Sequence, residues 1–292
     1  MLRVPAVFAC LTLRLLSPSA GAESTIDPAA RYAYGANLGW INLEGDGTNG
    51  VVVGEAYLSG SAYGANLGWL SFGDGTPANG YAYANDSASD YGVNNDGSGN
   101  LSGYAYGANI GWVHFGWASP SDPDRPRVDL LTGTFDGFAY GANVGWINLG
   151  AGYLATSNLD YPDADADGIA DWWEEKHFGD TTTANATSDF DRDQVSDRNE
   201  YLGGSDPQDP SDFFRVVMTE VSPATPPLRD VTVEFSSSEG RVYQILVGSG
   251  LPPVDDSGLG IFAPDPGGRT TKVLTVNGFT RFFRVVAIRP LP

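Results

Sequence analysis

The chain has 292 residues, and its 36 Asp and Glu against 16 Lys and Arg give a formal net charge of −20. With 41% hydrophobic residues it is too apolar for a disordered acidic chain, and its 38 Gly and 19 Pro follow no collagen period. The negative charge argues against nucleic acid or an anionic membrane surface as a partner and is compatible with bound cations.

The first 22 residues have the pattern of a secretion signal. Arg3 supplies the positive start, residues 4–16 form an apolar run, and the small residues 20–22 form a cleavage site. Cys10, the only cysteine, lies inside this segment, so the mature chain is expected to contain no disulfide. We therefore expect a protein that is secreted or held at a cell surface, and no membrane insertion.

Residues 23–152 form a predicted β-repeat domain. The phrase Ala-Tyr-Gly-Ala-Asn-x-Gly-Trp occurs four times, starting at Ala33, Ala62, Ala105 and Ala139, with spacings of 29, 43 and 34 residues. Alternation before and after the phrase predicts strands, and its Gly and Asn residues predict a tight hairpin between them. Each unit then has about three short antiparallel strands that cannot bury their apolar face alone, so the units must pack on each other.

The strand after each hairpin separates an apolar side from a side that carries Trp. One interpretation is structural, with each Trp filling the space over a Gly of the next unit and each Asn satisfying turn backbone. The other is a stacking platform for sugar rings. The Trp residues concerned are Trp40, Trp69, Trp112 and Trp146.

The repeated phrase resembles short Gly-Trp repeats of secreted bacterial surface proteins. That resemblance implies a location rather than an activity. His114 stands where the other units have Asn or Ser, which indicates a tolerated surface variant. With His177 it is one of only two histidines, so a nucleophilic triad or a His-rich zinc site has few residues to use, and we predict no catalytic residues and no enzyme.

An acidic segment at residues 153–211 contains two candidate twelve-residue calcium loops. A hard cation takes six to eight oxygen ligands, and alternate side chains of a curled loop point inward, with a bidentate Glu at position 12. Position 7 would contribute a backbone carbonyl. The first loop offers Asp163, Asp165, Asp167, Ile169, Asp171 and Glu174, and the second offers Asp189, Asp191, Asp193, Val195, Asp197 and Glu200.

The two loops differ at position 6, where the sharp turn needs glycine. Gly168 fills that position in the first loop, whereas the second has Gln194, which must take a positive φ at a cost of about 1 kcal/mol. The second site is therefore expected to be the weaker one. Short helices should leave the loops over 171–178 and 197–202, the second capped by Ser196.

The arrangement of two successive loop–helix units resembles a dockerin module. The loops also resemble the calcium loops of bacterial surface proteins and of thrombospondin type 3 repeats. The resemblance covers about 45 residues and implies about two Ca²⁺ ions at the carboxylates named. A dockerin would imply a docking partner. Metal binding should be coupled to folding and should rigidify a joint between two β-domains, with a small core of Trp172, Trp173, Phe178, Tyr201 and Leu202.

Residues 212–292 are predicted to form a β-sandwich-like domain with about five strands, over 213–221, 231–235, 242–247, 272–276 and 282–288. The arrangement resembles small C-terminal β-domains that follow calcium loops in secreted proteins. The fold class is thus mainly β, in three parts. We expect a calcium-binding, non-enzymatic surface or matrix protein with a structural or adhesive role. The alternatives are a carbohydrate-binding module that uses the Trp and Tyr residues and a dockerin-like module that docks another surface protein.

Overall fold

The computed structural model describes residues 23–46, 48–119, 121–221, 228–277 and 282–292. The predicted leader with Cys10 lies outside the described residues. Antiparallel sheets dominate the described part and two helices of seven residues each connect them, so the prediction of a mainly β fold is confirmed. Neither helix has the length and apolar character needed to cross a membrane.

Thirteen short strands build the N-terminal part of the chain. Eight of them form four hairpins, β1–β2, β4–β5, β7–β8 and β11–β12, each with its turn inside one copy of the repeated phrase. The strands are β1 (Ile26–Gly35), β2 (Gly39–Asn42), β3 (Val52–Val53), β4 (Leu58–Gly64), β5 (Gly68–Gly73), β6 (Val93–Asn95), β7 (Leu101–Gly107), β8 (Gly111–His114), β9 (Arg127–Val128), β10 (Phe135–Asp136), β11 (Phe138–Gly141), β12 (Gly145–Asn148) and β13 (Leu154–Thr156).

The turn of each hairpin is the same. In the first copy, Leu38 N–H donates to the Gly35 carbonyl at 3.1 Å, and Gly39 then takes a φ of +77°. A positive φ is easy only for glycine, which explains why the second Gly of the phrase recurs in all four copies. The Asn of the phrase is not among the residues with positive φ in any copy.

The four hairpins close into a ring. Neighbouring hairpins pair in order, and β12 pairs back to β1, so the eight hairpin strands form a closed, barrel-like sheet that we call the repeat barrel. The register is equivalent at all four junctions. In each, the polar residue two positions after the Trp lies opposite the Tyr of the repeated phrase in the next hairpin. The pairs are Asn42 with Tyr63, Ser71 with Tyr106, His114 with Tyr140 and Asn148 with Tyr34.

The Asn of each phrase ties neighbouring turns together. Its side-chain amide donates to the carbonyl of the residue before the second Gly in the previous hairpin, and the first copy closes the ring onto the last. The bonds run from Asn37 to Val144, Asn66 to Leu38, Asn109 to Leu67 and Asn143 to Ile110, at 2.9–3.2 Å. The prediction that Asn satisfies turn backbone is thus confirmed, with the turn belonging to the neighbouring unit.

The apolar side of the hairpins fills the barrel. The predicted apolar pairs after each Trp are all buried, together with the Ala that starts each phrase and the residue between Asn and Gly. Short additional strands cover the barrel, with β3 on β4, β6 on β7 and β13 on β1. These short pairs supply a third strand for most units, as the alternating sequence predicts.

The four Trp rings lie on the outside of the barrel and are 44–51% exposed. Each packs edge-on or tilted against the cross-strand Tyr of its own hairpin, with ring centroids 4.8–5.2 Å apart. The interpretation in which Trp fills a gap over a neighbouring Gly is therefore wrong, because the hydrogen-bonded junctions leave these rings on the solvent side of the sheet. The rings are also spread around the barrel rather than gathered in one site.

The C-terminal part forms two three-stranded sheets that share one core. One sheet has the order β14-β15-β18 and the other β17-β16-β19, and the core includes Phe235, Tyr243 and Leu274. Strand β17 was not predicted from the sequence. It is an edge strand that is mostly exposed and contains Asp, Ser and Gly residues, so it lacks an apolar alternation. The strands are β14 (Val216–Val221), β15 (Leu228–Ser236), β16 (Val242–Gly248), β17 (Asp255–Phe262), β18 (Arg269–Asn277) and β19 (Phe282–Ile288).

Candidate metal centre

The first acidic loop is curled by hydrogen bonds from its own backbone. Ala164 N–H donates to Asp171 Oδ1 at 2.8 Å, and Gly168 N–H donates to Asp163 Oδ2 at 3.0 Å. Oxygens of Asp163, Asp165 and Asp167 lie within 4.8 Å of one another. Helix α1 (Asp171–His177) leaves the loop, one residue shorter than predicted, and Gly179 follows its end with a φ of +77°.

The second loop repeats the same pattern. Phe190 N–H donates to Asp197 Oδ1 at 3.0 Å, and Gln194 N–H donates to Asp189 Oδ2 at 3.0 Å. Asp189, Asp191 and Asp193 also bring oxygens within 4.8 Å of one another. Helix α2 (Asp197–Gly203) follows, with the Ser196 side chain accepting from Asn199 N–H as predicted for its N-cap and Gly204 in the left-handed region at its end.

Each loop contains buried carboxylate oxygens that accept no hydrogen bond from any described residue. In the first loop these atoms are Asp167 Oδ2 and both oxygens of Glu174, and the second loop has five such atoms, including Oε2 of Glu200. Glu174 and Glu200 are completely buried. A buried carboxylate without a hydrogen-bond partner is strongly disfavoured unless a cation or a proton compensates it.

Burial and the closeness of the loop carboxylates to one another shift the pKa values of several of them. Burial first, and then repulsion from the loop aspartates, raises the pKa of Glu174 and of Glu200 to about 8. Burial likewise raises the pKa of Asp167 and of Asp191. A divalent cation at the curl would reverse the repulsion, so the donor set fits a hard ion with oxygen ligands. The carbonyl roles of Ile169 and Val195 remain predictions.

The helices and position 7 of the first loop build the small core that the sequence predicts. Ile169, Trp173 and Tyr201 are buried together, and Trp172, Phe178 and Leu202 pack against them half-buried. Val195, the position 7 residue of the second loop, is half-buried. The first loop and the two exit helices therefore share one apolar core.

Gln194 takes a φ of +79°, as the missing glycine predicts, while Gly168 takes +93°. Replacing Gln194 by Gly should relieve this strain and stabilise the metal-free chain by about 1 kcal/mol. The thermal midpoint in chelator measures the effect. Gln194→Ala is the matched control, because it removes the side chain and keeps the strain; an equal gain in both variants would contradict the backbone explanation.

One buried charged group, not predicted from the sequence, joins all three parts of the chain. Glu55, in the segment between β3 and β4, is 2% exposed. It accepts from Arg241 Nη1 at 2.6 Å, from Trp172 Nε1 at 2.9 Å and from the Tyr201 hydroxyl at 3.0 Å. Arg241, which directly precedes β16 of the C-terminal sheets, also donates to the carbonyls of Tyr201 and Leu202. The only sequence signal was a single Glu within an apolar run at residues 51–58.

The C-terminus makes a second contact with the repeat barrel. Leu159 N–H donates to the Leu291 carbonyl at 2.9 Å, Leu291 packs on the barrel core, and the Tyr161 hydroxyl donates to the Pro290 carbonyl. The last residues of the chain thus contact the barrel beside the start of the acidic segment.

No protein-family model matches this chain, and no curated protein or solved structure gives a significant match.

Proposed function

We propose that the two acidic loops bind Ca²⁺ and that the ions rigidify the joint between the repeat barrel and the C-terminal sheets of a secreted, non-enzymatic surface or matrix protein. The observation that supports this most strongly is the pair of fully buried glutamates, Glu174 and Glu200. Both oxygens of Glu174 and Oε2 of Glu200 find no donor among the described residues, while Oε1 of Glu200 accepts from the Ser205 hydroxyl at 3.3 Å. Each stands at position 12 of its loop, where a bidentate ligand is expected.

The path from the ions to the joint runs through the two exit helices. Glu174 and Trp172 lie on α1, and Glu200 and Tyr201 lie on α2. Trp172 and Tyr201 both donate to Glu55, and Arg241 completes that contact. An ion that fixes the start of either helix therefore also fixes a donor of the interdomain contact. This burial against the protein's own chain favours a joint over a dockerin-like surface for another protein.

Calorimetric titration with Ca²⁺ tests the proposal. We expect about two sites, with dissociation constants of roughly 10⁻⁴ to 10⁻³ M or tighter and the weaker one in the Gln194 loop. Glu174→Gln should weaken the first site at least about tenfold, equivalent to about 1.4 kcal/mol, because one bidentate ligand is lost. Glu200→Gln should do the same to the second site.

The control is Glu175→Gln, which removes the same charge from the same helix at a residue outside the predicted ligand set. It should leave both sites within about twofold of the original affinity. Titration with Mg²⁺ provides a second control, because that ion dehydrates reluctantly and demands tighter geometry. Absence of calcium binding, or equal losses in Glu175→Gln and Glu174→Gln, would contradict the proposed sites.

A further inference from the structure

The third hairpin differs from the other three by an insertion that folds against its Trp. The 43-residue spacing before the third phrase is the longest of the three, and the extra residues fall between β5 and β6. Within them, residues 84–91 form a closed loop in which Asn85 N–H donates to the Asp90 carbonyl at 2.9 Å. The insertion therefore places a folded loop beside Trp112. Trp40 and Trp146 each have a single ring from outside their own hairpin beside them, Tyr153 and Trp117 respectively.

This loop is anchored by its own polar side chains. Asn85 takes a φ of +57°, its amide donates to the Tyr83 carbonyl at 3.1 Å, and its oxygen accepts from Gly92 N–H at 3.1 Å. An Asp90 oxygen accepts from Ala84 N–H at 3.2 Å. Asn and Asp commonly stabilise such turns by bonding nearby backbone. The loop is thus a preformed wall.

Between the wall and the barrel lies a cleft of about 450 Å³. Tyr104 and Trp112 line its barrel side, and Tyr91 lines it from the wall. Tyr91 packs edge-on to Trp112 at 5.0 Å and 85°, and Tyr104 stacks on His114 at 4.6 Å and 12°. Trp112 keeps 44% of its surface exposed. The exposed residues Asp86 and Ser87 line the wall side.

The chemistry of the cleft combines fixed aromatic rings with hydroxyl and carboxylate groups. An aromatic ring offers an apolar face, and a few placed polar groups fix the orientation of a ligand in a mostly apolar pocket. A pyranose ring matches both features of the cleft. Its apolar C–H faces can stack on an aromatic ring, and its hydroxyl groups donate and accept hydrogen bonds. Asp86 and the net charge of −20 disfavour acidic sugars.

We propose that this cleft binds a pyranose unit of a neutral glycan, with Trp112 as the stacking residue and Asp86 and Ser87 as hydrogen-bonding partners. The proposal goes beyond the proposed calcium-bound joint by naming a ligand class for the barrel surface. It uses no residue of the acidic loops.

Trp69 provides a matched control inside the same barrel. It occupies the same position in its hairpin and is also 44% exposed. Among the described residues, the aromatic ring found against Trp69 is Tyr63 of its own phrase, and Ser61 stands where the third hairpin has Tyr104. Substitution of Trp69 therefore measures how much an exposed Trp of the barrel contributes to glycan binding when no wall lies beside it.

Native affinity electrophoresis tests the cleft, using the full chain in calcium-containing gels with hydroxyethylcellulose, galactomannan or xylan, and with polygalacturonate as an acidic comparison. The unmodified protein should be retarded by at least one neutral glycan. Trp112→Ala should raise the dissociation constant about tenfold or more, whereas Trp69→Ala should change it less than about twofold. Tyr91→Ala, which removes the ring beside Trp112, should weaken binding in the same direction.

Three results would overturn the proposal: no retardation by any neutral glycan, retardation by polygalacturonate alone, or equal losses in Trp112→Ala and Trp69→Ala. The Trp112→Ala protein should keep its calcium isotherm and its thermal midpoint, because the ring is outside the barrel core. Lost glycan binding with an intact isotherm therefore separates the cleft from the metal sites. An intact isotherm without glycan binding by the unmodified protein refutes the cleft alone.

Discussion

Chelation of calcium should cause the largest loss of stability in this protein. Each site occupied at 100 times its dissociation constant contributes about 2.7 kcal/mol, so removal of two ions should lower the thermal midpoint by the order of 10 °C. Limited proteolysis in EGTA should then cut between residues 160 and 212 and release a barrel fragment and a C-terminal fragment. The same digestion pattern and midpoint with calcium and with EGTA would contradict the role of the loops.

The metal-free protein should also respond to pH in a characteristic direction. Glu174 and Glu200 have a folded pKa of about 8 against an ordinary value of 4.5. Between those values the unfolded chain has lost protons that the folded chain still binds, so the stability in EGTA should fall as the pH rises from about 4.5 to about 8. Saturating calcium should reduce this slope. Thermal midpoints across that range measure it, and the double variant Glu174→Gln with Glu200→Gln should flatten it.

The second large effect is expected from Arg241→Met, which leaves Glu55 buried without its cation. Breaking a buried ion pair by removing one partner typically costs about 3–5 kcal/mol, because the remaining charge is uncompensated. Urea denaturation of the calcium-loaded protein measures this loss. Small-angle scattering should show a larger radius of gyration if the C-terminal sheets separate from the barrel.

Arg269→Met is the control for this variant. Arg269 pairs with Glu234 at 2.8 Å in the same C-terminal sheets, but its side chain is 62% exposed, so the loss should be at most about 1 kcal/mol. Glu55→Gln combined with Arg241→Met should recover part of the stability lost in Arg241→Met. Equal costs for the two Arg variants would show that the buried contact does not hold the domains together.

Local features of this protein could be predicted from sequence because short-range chemistry determines them. The hairpin turns, the curled acidic loops, the N-cap Ser196 and the positive φ of Gln194 each depend on a few adjacent residues. The left-handed backbone of Ala166 and Arg192, at position 4 of the two loops, was missed because neither residue type favours it.

Long-range features could not be predicted in the same way. The Asn37–Val144 bond joins residues 107 apart, and the Glu55–Arg241 pair joins residues 186 apart. The alternation of apolar and polar residues predicts which face of a strand is buried, but it does not predict which strand lies beside it. The exposure of Trp112 and the wall of its cleft depend on the closed register of the barrel, so a repeat pattern alone left the structural and sugar-binding interpretations open.

The closed circle of hairpins has a consequence for how the barrel can come apart. An open array of repeats can lose its terminal unit by breaking a single interface, so its ends fray first. Here the pairing of β12 with β1 leaves no terminal unit, and detaching any hairpin breaks two junctions at once. Deleting one hairpin would also create two unpaired strand edges, which promote aggregation. We therefore expect the circle to unfold as a single cooperative unit and to tolerate circular permutation better than loss of a repeat.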